Sequence, residues 1–240
     1  MPINVQATMR PLLYLKSGEP LPAPESLDAV QAVVVDATEA AAASQLLSAA
    51  AGRPRGTCGL LARIGPDGAP SEADLGLLLA SGIDGIVLAG CRGPADIQRT
   101  DVILKVAEAA ARIEPGKTAM LVEYATRPES VLSPHALASA SPRLSALIFD
   151  ASALAQACGL GRVTEAGDVP AVIRLGRATA ILRAREAGIV AYEMLPDEAL
   201  DEWAMRRLWA NSMENGFSAA ALRSVQQIDL LAAATASLVD

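Results

Sequence analysis

Apolar runs short enough for strands alternate with stretches of helical periodicity along nearly the whole chain. Runs of the kind a strand buried on both faces requires occupy residues 11–15, 32–36, 58–64, 83–88, 118–123, 146–150 and 189–194, with a weaker one at 217–222. Between them the pattern predicts a brief helix at 27–31, an alanine-rich helix at 37–51 closed by Gly52, and a helix capped at Ser71 that runs to Ser81. Further helices are predicted at 94–113, in one or two short pieces within 128–139, at 171–187 after Pro170, at 196–213 behind Pro196, and at 224–238. Turns are expected at Lys16-Ser17-Gly18 and Gly65-Pro66-Asp67-Gly68, and the less periodic, Gly-containing residues 151–168 read as a loop over the strand ends. Alternation about every 30 residues is the pattern of an α/β TIM (β/α)8 barrel, and residues 1–240 are expected to form one such domain.

Composition narrows the function. Hydrophobic residues make up 52% of the chain and aromatics 3%, so small side chains supply much of the core. No window of about 18 residues is free of charges or breakers, which argues against a membrane span. The opening residues lack the features of a signal peptide, and a cytoplasmic location is expected. A net charge of −7 without Lys/Arg runs opposes nucleic acid as a partner. Cys58, Cys91 and Cys158 form no CxxC pair and read as packed thiols. Neither Gly-x-Gly-x-x-Gly nor a P-loop motif is present, which removes the main support for nucleotide binding.

The chemistry gathers where strands end. On the barrel reading, Lys16, Asp36, Arg63, Arg92, Glu123, Asp150 and Glu193 all reach the C-terminal ends of strands, the edge at which barrels hold their sites. Carboxylates from neighbouring strands suit a hard cation such as Mg²⁺, and Arg63 offers a planar fork for a substrate carboxylate. Such a set would polarise a keto acid or acyl group and stabilise an enolate. A Schiff-base mechanism needs a lysine in the mouth; Lys105 lies within a helix and Lys117 at the far end of a strand, which leaves Lys16. His135, the single histidine, opens a helix and reads as solvated, so a Ser-His-Asp triad is set aside.

Several pieces, in order, resemble the citrate lyase beta-subunit group of the HpcH/HpaI aldolase superfamily: VVVDATEA at 33–40, ARIG at 62–65, SGIDGIVLAG at 81–90, MLVEYA at 120–125, SPRLSALIFDASALAQACG at 141–159 and GRATAILRAREAGIVAYEM at 176–194. The resemblance implies an oligomeric TIM barrel that uses Mg²⁺ to cleave or form carbon–carbon bonds in hydroxyacyl or keto-acid substrates, often as coenzyme A thioesters. It makes Arg63 the contact to the substrate carboxylate or carbonyl and Glu123 the first metal-binding acid, so these two are the catalytic candidates. Asp36 and Gly90 join Arg63 as substrate-binding candidates. The family's second metal acid falls at Ala153, leaving Asp150, three positions earlier, as the candidate second ligand. The family's Leu-Glu-Asp after strand two appears as Ala37-Thr38-Glu39, its Pro-Lys after strand four as Ala89-Gly90, and its late aspartate as Glu193. The usual C-terminal extension is not matched. Two functions follow as expectations: a divergent Mg²⁺-dependent carbon–carbon lyase, or a barrel that has lost catalysis and acts as a ligand-binding or assembly partner of an active paralogue.

Overall fold

The computed structural model describes residues 9–16, 19–65, 71–198 and 201–236. Strands β1 (Leu12–Leu15), β2 (Ala32–Asp36), β3 (Gly59–Ile64), β4 (Gly85–Leu88), β5 (Ala119–Glu123), β6 (Leu144–Phe149), β7 (Val190–Met194) and β8 (Ala219–Leu222) each pair in parallel with the next. Strand β8 returns to β1 through Leu12↔Ala221 and Leu13↔Leu222. The result is a closed TIM barrel, which leaves no strand edge unpaired.

Period-2 alternation decides what fills the barrel and what faces the helices. Leu12, Val34, Leu61, Val87, Leu121 and Ile148 pack in the interior with Tyr192 and Met194, and alanines of β2, β6 and β8 make room for them. The intervening Leu13, Val33, Val35, Leu60, Val122 and Leu147 form the outer core under the helices. Each large side chain buried this way contributes about 1.5–3 kcal/mol.

The helices are α1 (Pro24–Asp28), α2 (Ala40–Ala51), α3 (Glu72–Ala80), α4 (Pro94–Ala111), α5 (Pro128–Leu132), α6 (Ala151–Ala157), α7 (Ala171–Ala187), α8 (Glu202–Glu214) and α9 (Val225–Ala236). Helix α3 has the capping box that Ser71 and Asp74 promise, and Gly188 (φ 68°) ends α7 in the left-handed conformation. Gly176 lets α7 approach β6 and α6. A Cβ there would stand 3.2 Å from the Phe149 ring and closer still to Leu154. Among the described residues no helix is long and apolar enough to cross a membrane.

Beyond shifts of a few residues at other element ends, three differences from the sequence reading have a local reason. Residues 151–168 begin with α6 instead of a loop, because Asp150 caps the helix and Leu154 and Ala155 are buried beneath it. Helix α8 starts at Glu202 under an Asp201 cap, not at Pro196; the Pro196 carbonyl instead accepts a hydrogen bond from Gln227 Nε2 at 2.8 Å. Helix α1 begins with Pro24 in its first turn, ahead of the expected Leu27. The expected turns beyond Gly65 and at Ser17-Gly18, and the end of the last helix at Leu238, lie outside the described residues.

Candidate active site

The alternation that builds the core also sorts the charged residues at the strand ends. Tyr14 lies two residues beyond inward-facing Leu12, and Asp36, Arg63, Glu123, Asp150 and Arg223 likewise follow Val34, Leu61, Leu121, Ile148 and Ala221. All six line one cavity of about 250 Å³ at the C-terminal mouth, together with Lys16 and Met194. Glu193 has the opposite parity, between inward-facing Tyr192 and Met194. It is therefore not in the mouth: it pairs outside the barrel with Arg177 (2.7 and 2.8 Å) and accepts from the Ser212 hydroxyl. Arg92 is also removed from the site, exposed and paired with Asp96 at 3.3 Å.

Arg63 and Glu123 form the centre. Nε and Nη2 of Arg63 donate to the two Glu123 oxygens at 2.6 and 2.9 Å, a planar bidentate pair. The Tyr14 hydroxyl donates to Glu123 Oε1 at 3.3 Å. Burial pushes the Tyr14 phenol well above its ordinary value, and the adjacent Glu123 charge adds to this, so the hydroxyl keeps its proton. Burial disfavours the Arg63 charge, but the Glu123 partnership outweighs it and the guanidinium stays cationic. Arg63 Nη1 approaches Asp36 only to 3.8 Å. Asp36 Oδ1 is itself turned back onto the Thr38 amide (3.0 Å) and hydroxyl (2.6 Å), which delays the start of α2.

Asp150 lines the same cavity from the end of β6, the strand next to that of Glu123. Its Oδ1 accepts from the amides of Ser152 (2.9 Å) and Ala153 (3.2 Å) at the start of α6, and its Oδ2 from Arg223 Nη2. Arg223 was not among the residues the sequence pointed to. Its place two residues beyond Ala221 was the available signal, hidden because β8 is nearly all alanine. Lys16, the one lysine in the mouth, pairs with Asp197 at 3.1 Å.

Arg63 and Glu123 also border a second, adjoining cavity of about 530 Å³, with Gly90, Thr126, Glu129, Ala153 and Gln156 on its walls. The candidates Arg63, Glu123, Asp36, Asp150 and Gly90 thus come together around two cavities that share Arg63 and Glu123, and Ala153 lines the larger one.

The donor set does not suit Mg²⁺ as arranged. Both oxygens of Glu123 and both of Asp150 already accept charge-assisted or backbone hydrogen bonds. A dication would have to displace them in a cavity that two guanidinium groups line. Among the described residues no three His, Cys, Asp or Glu side chains are grouped to hold an ion.

No protein-family model and no curated protein sequence matches this chain. Solved structures do. The chain is similar to a citrate lyase from Burkholderia xenovorans at 17% identity and a TM-score of 0.77, over 96% of this chain and 78% of that one. It is similar to the citrate lyase beta subunit from Mycobacterium tuberculosis at 19% identity and 0.68, over 98% and 100%. It is also similar to Haloferax volcanii malate synthase, solved as a pyruvate and acetyl-CoA ternary complex, at 18% identity and 0.73, over 98% and 71%. The mycobacterial CitE protein has further been solved with magnesium and acetate, pyruvate or acetoacetate. The chain shares the fold of these malate synthase and citrate lyase structures, and the citrate lyase beta-subunit group is the one that its sequence pieces resemble.

Proposed function

We propose that this barrel binds a small acyl or keto acid, free or as a coenzyme A thioester, and acts on it as a carbon–carbon lyase of the citrate lyase beta-subunit type. The observation that carries the reading is the Arg63–Glu123 pair, held at the barrel mouth with Tyr14 against it. Arg63 receives the substrate carboxylate or carbonyl on its Nη1 edge, the part of the guanidinium that Glu123 does not engage. Glu123 keeps that fork oriented, and fixed orientation is a large part of what an active site supplies. Tyr14, protonated, turns its one hydroxyl hydrogen from Glu123, a long 3.3 Å bond, toward negative charge that develops on the acyl oxygen. Asp36 and Gly90 shape the two ends of the space. Support also comes from the pyruvate, acetoacetate and acetyl-CoA complexes of the structural neighbours. A cytoplasmic setting and a homo-oligomer belong to the same reading; the three cysteines are all free, as they stay in a reducing compartment.

The second reading, a barrel that binds such acids without turning them over and serves as partner of an active paralogue, is favoured by Ala153, which leaves a methyl group on the wall of the larger cavity. One assay separates the two. Short hydroxyacyl and malyl-type thioesters are offered, and release of the keto acid or shortened thioester is followed for wild type and Arg63→Ala. The lyase reading expects turnover that falls about 10²-fold or more in the variant. Binding of the acids without turnover selects the second reading, and turnover indifferent to Arg63 rejects the site.

A further inference from the structure

The two arginines of the mouth are used in the same way. Arg63 spends Nε and Nη2 on Glu123. Arg223 spends Nε on the Leu195 carbonyl (3.2 Å) and Nη2 on Asp150. In each the Nη1 group makes no hydrogen bond among the described residues, although Asp36 Oδ2 stands 3.8 Å from that of Arg63, and both arginines line the same 250 Å³ cavity. Arg223 is also braced. Its amide donates to Gln227 Oε1 at 2.7 Å, and Gln227, 4% exposed, anchors itself on the Pro196 carbonyl. A buried amide side chain that bonds both ends of its group fixes the backbone from which Arg223 projects. Lys16, the remaining cation of the cavity, is turned to Asp197.

We propose that this site works without a divalent metal, and that the Arg223 guanidinium stands in for the cation: its Nη1 edge and that of Arg63 together take the anionic oxygens of a small carboxylate ligand. The positive charge is then built into the chain. Asp150 serves Arg223 as orienting counter-ion, since its other oxygen is committed to the start of α6. Ala153 fits this arrangement, because it adds no further acid to a larger cavity whose wall already carries Glu123 and Glu129. The ligand half of this inference rests on the acyl or keto-acid reading above; the metal half does not.

The experiment uses protein freed of metal by chelation. Mn²⁺ is titrated into wild type, Glu123→Gln and an Arg223→Ala/Ala153→Asp double variant, with free Mn²⁺ followed by electron paramagnetic resonance. Pyruvate and acetoacetate are titrated calorimetrically into wild type and Arg223→Ala, with and without Mg²⁺. Circular dichroism establishes that each variant is folded. The expected results are no Mn²⁺ uptake by wild type, uptake by the double variant, ligand affinity unchanged by Mg²⁺, and a loss of about tenfold or more in Arg223→Ala. Mn²⁺ uptake by wild type that Glu123→Gln abolishes, or ligand binding that requires Mg²⁺, overturns the proposal. Equal ligand affinity in wild type and Arg223→Ala overturns the role of Arg223 alone. If neither acid binds wild type at all, the functional reading fails and the ligand half with it, while the Mn²⁺ titration still decides the metal half.

Discussion

Arg143 donates from Nη1 and Nη2 to the two oxygens of Glu108, both at 2.6 Å, and the pair is buried at the opposite end of the barrel from the candidate site. Its Nε also donates to Asp101 at 2.7 Å. Glu108 further accepts from the amides of Gly116 (2.9 Å) and Thr118 (3.0 Å), which ties α4 to the entry of β5, while Arg143 ties it to the entry of β6. Removing the cation leaves two carboxylates without it in the protein interior. Arg143→Ala is expected to cost about 3–5 kcal/mol, measured by urea unfolding, whereas volume-matched apolar replacement of both partners costs less.

The same pair sets an acid limit. Burial pushes the Glu108 carboxyl up, but the hydrogen bonds from Arg143, Gly116 and Thr118 more than reverse this and hold it at about 2. A carboxyl depressed in the folded state stabilises fully above its unfolded value, about 4.3, and that stability is lost as pH falls toward 2. Glu108→Gln should flatten the decline in unfolding free energy between these values. An unchanged slope in the variant would remove Glu108 from the account.

Tyrosine ionisation gives an independent check on the mouth. All three tyrosines are raised by burial: Tyr14 well above its ordinary value, Tyr192 to about 12, and Tyr124 in the same direction. Native protein should therefore show no tyrosinate absorbance as pH passes about 10. These phenols favour the folded state below their unfolded value and cease to do so as pH rises through the folded ones, so the band should appear together with alkaline unfolding. A tyrosinate step in folded protein near 10 would contradict the burial of Tyr14 against Glu123.

Gly176→Ala should lower stability by about 1–3 kcal/mol. The new methyl group meets Leu154, the Phe149 ring and the Ala125 carbonyl, so α7 has to move away from β6 and α6. Thermal unfolding measures the loss, and an unshifted midpoint would show that α7 is not held this closely.

An exposed apolar face on α7 bears on assembly. Leu175 (54% exposed) and Leu182 (67%) point outward, and Leu182 borders a groove with Val131 of α5. Under the homo-oligomer proposed above, this face is where a second copy would pack. Leu182→Glu is expected to lower the mass seen by light scattering without changing the circular dichroism spectrum. Equal masses would place any oligomer contact elsewhere.

The barrel was legible from the amino-acid sequence because each strand is a short buried run and each helix is amphipathic or capped, both local properties; β2 and α7 were read to the residue. Arg63 and Glu123 were legible too, since both stand at strand ends and match the resemblance. The elements misread, α6 and the start of α8, turn on which acid caps the helix, Asp150 and Asp201, and the stretch before α8 is held besides by the distant Gln227 bond to Pro196. Which strand-end charges face the mouth depended on parity. A difference of one position sends Glu193 to Arg177 outside the barrel, while Arg223, at the end of an alanine strand, turns inward to Asp150 across 73 positions. Sequence by itself determined the fold and the placing of Arg63 and Glu123 at strand ends. Only closure of the barrel, which brings β8 beside β1 and leaves it one strand from β6, decided that the carboxylates of the mouth are answered by guanidinium groups.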